Sequence, residues 1–217
     1  MNQVVKNKMQ KEVMVVKNTE LFKNAERRDG FYENEEFNFE EVVLWNYEYM
    51  VRHIAEENFD YKQPIPYGIV IDEEDNIFVY KRWWSWSNAW DSRLHSKISF
   101  WIWWHLEKED ELWNNPLKEW LVREVEEELN LWEQDIKSVE SLWYINEDDW
   151  AVSEVHFWIA YVVRVHNSNF ELLDWELENG EFVSLDELEG MINSWDYDLE
   201  NWSKIFFEPL KNYLLKN

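Results

Sequence analysis

Between Asn115 and Asn130 the chain carries agreeing signals for one helix. Asn115 can cap it, Pro116 suits the first helical position, and Leu117, Leu121, Val125 and Leu129 recur as an apolar stripe. Asn130 tolerates the left-handed conformation that often ends a helix. This segment constrains the fold most, because its stripe has to be laid on something. The rest of the chain supplies short β-branched and aromatic runs to receive it. Glu12 to Lys17 predicts a first strand; Tyr67 to Ile71, the acidic turn Asp72 to Asn76 and Ile77 to Tyr80 predict a β-hairpin. Further strands are expected over Lys97 to Ile102, Val139 to Tyr144, Val155 to Val165 and Gly180 to Val183. Apolar residues at Val42, Val43, Tyr49, Met50 and Ile54 predict a helix over Phe39 to Asn58, and a last helix is expected over Trp202 to Leu215. Pro64 and Pro66 punctuate the chain between the first helix and the hairpin. The pattern is α+β in one domain with an extension, without repeats or a clear linker.

Charge and composition exclude several functions. With 46 acidic residues against 21 basic, the net charge of -25 repels nucleic-acid polymers and anionic membrane surfaces. A small phosphorylated ligand stays compatible, because a bound cation or local basic patch overrides the global sign at short range. The absence of cysteine removes disulfides, thiolate zinc sites and cysteine nucleophiles. Neither a signal peptide nor a membrane-spanning run is evident, and a cytoplasmic protein is expected.

Tryptophan and glycine are inverted: 17 Trp stand against 4 Gly, where ordinary usage near 7% gives roughly 15 glycines. Thirteen of the tryptophans lie between Trp83 and Trp158, several of them in turn-like settings: Trp83-Trp84-Ser85-Trp86, Trp101-Ile102-Trp103-Trp104 and Leu131-Trp132. Glycine there would supply positive φ or close backbone approach, which an indole cannot do without strain. Some bacterial lineages read the UGA codon as glycine and others as tryptophan, so the pattern is the one that translation with the wrong table produces. Trp202 sits in a helical setting and reads as genuine; Trp45 and Trp175 fit either origin. Read literally, the tryptophans suggest a stacking surface for sugars or bases, and a carbohydrate-binding protein indifferent to chelators.

Glu124, Glu127 and Glu128 stand at i, i+3 and i+4 on the capped helix and so share an arc of about 100° bordering the apolar stripe. Such repulsion costs a few tenths of a kcal/mol per pair in water, and more when partly desolvated. A hard divalent cation reverses the sign. Carboxylate oxygens suit Mg²⁺ better than zinc, with Mn²⁺ as its substitute. In so acidic a chain three such residues are by themselves most often a solvated face.

Their context resembles a known family. Arg123-Glu-Val-Glu-Glu-Glu-Leu-Asn-Leu131 is similar to the second half of the Nudix box, Arg-Glu-U-x-Glu-Glu-x-Gly-U with U aliphatic, Asn130 replacing the final glycine. Ile102-Trp103-Trp104-His105-Leu106-Glu107 resembles the opening Gly-Gly loop once Trp103 and Trp104 are read as glycine. The loop to Arg123 is about five residues longer than the common spacing. Asn115 stands eight residues before Arg123, where the box usually has glutamate; Glu107, Glu109, Asp110 and Glu111 are the candidates for that missing acid.

The resemblance implies a Nudix-type α/β/α sandwich with a mixed β-sheet over 67–217, and an N-terminal extension, 1–66, packed on it. It implies Mg²⁺ held by Glu124, Glu127, Glu128 and the Trp103 carbonyl, with Arg123 orienting a carboxylate and Glu127 favoured as base. The implied reaction is hydrolysis of a diphosphate linkage in a small nucleoside diphosphate-type substrate. Arg93 and Lys97, from a basic run with Lys81, Arg82 and His95, are expected to hold phosphates, and His105 to touch substrate. The same run also reads as charge balance in a surface turn. Glu154, Glu178 and Glu181 lie where the family sometimes draws another acidic ligand. No role falls to His53, His156 or His166. A homodimer is compatible with the reading; the alternative is a non-catalytic Nudix-like module binding a nucleotide or a protein partner.

Overall fold

The computed structural model describes residues 3–82, 97–103, 105–108, 114–148, 153–166, 177–194, 197, 199 and 201–216. In chain order the elements are α1 (Gln3–Gln10), β1 (Glu12–Lys17), α2 (Asn18–Leu21), β2 (Gly30–Glu33), α3 (Phe39–Asn46), β3 (Tyr47–Val51), α4 (Arg52–Ala55), β4 (Tyr61–Ile71) and β5 (Ile77–Arg82). There follow β6 (Ile98–Ser99), β7 (Ile102–Trp103), α5 (Pro116–Leu129), β8 (Ile136–Asn146), β9 (His156–Val165), β10 (Leu177–Val183), α6 (Leu185–Asn193) and α7 (Asn201–Lys216). Two compact units emerge: residues 1–68, 103–123 and 139–161 in the first, and 69–102, 124–138 and 162–217 in the second.

In the first unit, Val13 to Val16 are buried without alternation, as in a strand covered on both faces. β1 pairs antiparallel with β3, Glu12 opposite Val51, and with the start of β4, Val16 opposite Lys62. β2 pairs antiparallel with β8, Gly30 opposite Asn146 and Glu33 opposite Trp143. β1, β2, β3 and the start of β4, all within residues 1–66, are thus sheet strands. An ion-pair group reinforces this: Arg27 Nε and Nη2 donate to Asp148 (2.9 and 2.8 Å), and the buried Lys62 donates to the same carboxylate at 2.7 Å. Burial pushes the Asp148 carboxyl up, but bonding to Arg27 and Lys62 overrides it and holds it far below the ordinary range. Burial, partly offset by Asp148, lowers the Lys62 ammonium.

The helix expected over Phe39 to Asn58 is three elements. α3 starts as anticipated, the Asn38 side chain accepting from the Glu41 amide at 3.0 Å, but stops at Asn46. From Tyr47 to Val51 the aromatic and β-branched residues pair with β1 as a strand, and tertiary pairing overrides the loose helical recurrence.

In the second unit the hairpin is found where expected, with Ile71 opposite Ile77. Its turn is built by Asp72, whose Oδ1 accepts from the amides of Glu74 and Asn76, both at 2.9 Å, while Asp75 takes a φ of 61°. β10 pairs antiparallel with β5 through a bulge between Glu178 and Glu181, where Asn179 has a φ of 52°. The strand expected over Lys97 to Ile102 is broken. Ser99 Oγ accepts from the Trp101 amide at 3.2 Å, turning the chain between β6 and β7. Ser184 and Glu187 cap α6 reciprocally.

The described tryptophans do not take the left-handed backbone that glycine favours. Among the described residues positive φ falls at Asp75, Asn130, Asn179 and Gly30, and at no tryptophan. Trp101 is fully buried, 4.3 Å from the Phe206 ring, with the Tyr80 hydroxyl donating to its carbonyl at 2.6 Å. Trp103 stacks on Tyr67 at 5.5 Å and 11°, and Trp132 is exposed in extended conformation. Trp83, Trp84, Trp86 and Trp104 lie outside the described residues.

Candidate functional site

α5 begins as its sequence dictates. Asn115 Oδ1 accepts from the Lys118 amide at 3.1 Å, and the Asn115 carbonyl accepts from Glu119 at 2.9 Å. Asn115 Nδ2 also donates to Glu40 Oε1 at 2.6 Å, and Lys118 Nζ lies 3.6 Å from the same oxygen. A buried carboxylate from α3 therefore reaches the place where the box resemblance expects a glutamate. Of the candidates for that acid, Glu107 pairs with Lys11, and Glu109, Asp110 and Glu111 lie outside the described residues. Burial, with Glu40 and Tyr144 adding to it, drives the neighbouring Tyr161 hydroxyl well above its ordinary pKa.

Leu117, Trp120, Leu121, Val125 and Leu129 are buried, and α5 packs so closely on β4 that a Cβ at Gly68 would come within 2.8 Å of Leu121 Cδ1. The helix ends at Asn130 with a φ of 50°, and the Leu131 amide donates to the Glu126 carbonyl at 3.1 Å.

Taking Leu121 as the inward direction, about 100° per residue turns Glu128 only about 20° away, Glu124 about 60° and Glu127 about 120°. Burial follows that order: Glu128 is 6% exposed, Glu124 half-buried and Glu127 exposed. The trio straddles the boundary between core and solvent. The adjoining Glu126 shows the same crowding, its carboxyl raised by partial burial and by the charges of Glu133 and Glu127. Arg123 is half-buried one residue before the trio. Lys97 is half-buried at the start of β6; Arg93 lies outside the described residues. Trp103 belongs to the first unit, and Glu124, Glu127 and Glu128 belong to the second.

His105 also lies in the first unit, where the fold places it in company the sequence did not indicate. Glu56, following α4, His105, following β7, and His156, opening β9, bring one ligand atom each within 4.8 Å of one another. The His105 and His156 rings are 5.1 Å apart at 57°. Burial first, then the positive charges of Arg52, His156 and Lys8, hold the His105 imidazole well below its ordinary pKa, so the ring is neutral. No local motif links residues 56, 105 and 156, and only the tertiary fold joins them.

No protein-family profile matches the chain. Protein YmaB of Bacillus subtilis (strain 168) is 32% identical over 170 residues, which span 76% of this chain and 79% of that protein. Among solved structures, Tm1382, a proposed Nudix hydrolase, matches with a TM-score of 0.71 at 27% identity, covering 93% of this chain and 99% of that one. The NUDIX domain of Shewanella oneidensis NrtR, solved with ADP-ribose, matches with a TM-score of 0.52 at 9% identity over 70% of this chain and 88% of that one, a likeness of fold alone. The expected α+β class with a mixed sheet agrees with these neighbours. Among the described residues no helix is long and apolar enough to cross a membrane.

Proposed function

Since the chain belongs to the Nudix superfamily, a group of hydrolases, we propose that it is a magnesium-dependent pyrophosphohydrolase acting on a small nucleoside diphosphate-type substrate. The observation that carries this reading is the acidic edge of α5. Glu124 and Glu128 share its inward side, with Glu128 buried, and Glu127 stands beside them facing solvent. Holding acids together at a core boundary costs free energy that a binding module has no need to bear, and oxygen-only donors at this spacing fit a hard dication.

In this reading Glu124, Glu127 and Glu128 hold Mg²⁺, and Mn²⁺ substitutes. When bound, the ion neutralises charge on the phosphoryl oxygens. Glu127, the most accessible of the three, accepts a proton from the attacking water. Arg123, on the same helix, is a positioning residue whose fixed charge keeps a carboxylate ionised. Lys97, with Arg93 in the same basic run, binds the substrate's phosphates.

The test is phosphate release from a panel of nucleoside diphosphate derivatives with and without Mg²⁺. Turnover that requires Mg²⁺ and is lost in Glu127→Gln and Glu128→Gln is expected. Binding of such ligands without turnover would instead assign a non-catalytic module, and full activity of both variants would remove the site from α5.

A further inference from the structure

We propose that Glu56, His105 and His156 form a second metal centre, made of residues other than those of the acidic edge of α5, that takes a divalent transition ion of the zinc type. The three residues come from distant parts of the chain and lie in one compact unit, with one donor atom each within 4.8 Å of the others. Tetrahedral zinc, with bonds of about 2.0–2.2 Å, separates its ligands by about 3.3–3.5 Å. The donors therefore need to close by no more than about 1.5 Å, which side-chain torsions can supply.

A second observation points the same way. His105 is 9% exposed, and its buried Nδ1 has no hydrogen-bond partner. A buried ring nitrogen without a partner carries a desolvation cost, which a bond to a cation would relieve. A simple aromatic contact between His105 and His156 leaves that cost standing.

The surroundings suit a ligand set. Arg52 Nε donates to Glu56 Oε1 at 3.1 Å, which orients the carboxylate. Trp103 packs 6.4 Å from the His105 ring and Trp158 packs 6.3 Å from the His156 ring, so aromatic walls flank both imidazoles. Two imidazoles and one carboxylate select borderline metals over Mg²⁺, whose preferred donors are all oxygen. Three protein ligands leave a fourth position for water. Arg52 and Lys8, whose charges reach His105, oppose a dication. The expected affinity is therefore below that of a four-ligand structural zinc site.

The experiment uses the full chain, stripped with a chelator and titrated with Zn²⁺ in excess Mg²⁺, with metal content measured after gel filtration. One zinc per chain is expected, unaffected by Mg²⁺ and retained by Glu127→Gln. Affinity should fall at least about tenfold in Glu56→Gln, and zinc should be lost from His105→Asn and His156→Asn. Absence of zinc from the wild-type chain, or retention by both histidine variants, would overturn the proposal. Should the histidine variants fail to fold by circular dichroism, the half-buried Glu56→Gln decides alone, and unchanged affinity in it refutes the centre.

Discussion

The two ends of α5 are built on opposite terms. At its start the helix is tied from several directions: Asn115 caps it and bonds Glu40, and Gly68 lets Leu121 seat against β4. At its other end Glu124, Glu126, Glu127 and Glu128 crowd negative charge along the boundary of the core. One end gathers stabilising contacts; the other keeps groups that repel each other. Within one continuous helix, that contrast separates what serves folding from what the proposed function assigns to a ligand.

The sharpest way to break the contrast is at the acidic end. Glu128→Gln and Glu127→Gln should each lower turnover by at least about 10²-fold, on the scale of losing a charge stabiliser in a phosphoryl site. Without Mg²⁺ both variants should melt no lower than the wild type, and Mg²⁺ should raise the melting temperature of the wild type only. A marked loss of stability in metal-free buffer would show that these acids serve folding after all.

At the tied end the signs reverse. Gly68→Val should cost about 1–3 kcal/mol by overpacking against Leu121, seen as a lower urea midpoint, with activity per folded molecule retained. Asn115→Ala should cost about 1 kcal/mol for the cap, again without specific loss of turnover. The smallest effect belongs to Glu126. Its folded pKa lies above the unfolded one, so the folded state holds its proton more readily. Stability should fall as pH rises from the ordinary carboxyl range, about 4.3, through the folded pKa. Glu126→Gln should remove that slope and gain a few tenths of a kcal/mol at pH 7, measured by denaturation at several pH values.

Much of α5 was legible because its signals are local: a cap, a proline, a stripe and a left-handed terminus within sixteen positions. The hairpin at Asp72 was legible for the same reason. The segment from Tyr47 to Val51 is not legible locally, because its helical recurrence is weak and its partner, β1, lies more than thirty residues away. Among the described residues left-handed backbone falls at Asp75, Asn130, Asn179 and Gly30, and not at Trp101, Trp103 or Trp132. α1, α2, β2 and α6 have no counterpart among the expected elements, and of these only α6 carries a readable signal, the Ser184 and Glu187 capping pair. The Glu124, Glu127 and Glu128 edge could be seen in the sequence because helical spacing alone gathers it. Glu56, His105 and His156 could not, as nothing short of the folded chain brings them together.

β2 shows what the extension protects. Its four residues close off the hydrogen-bonding side of β8 from Trp143 to Asn146. A chain trimmed to begin at residue 67 would lay that row of amides and carbonyls open to any passing strand. Self-association is the expected fate of such a bare edge.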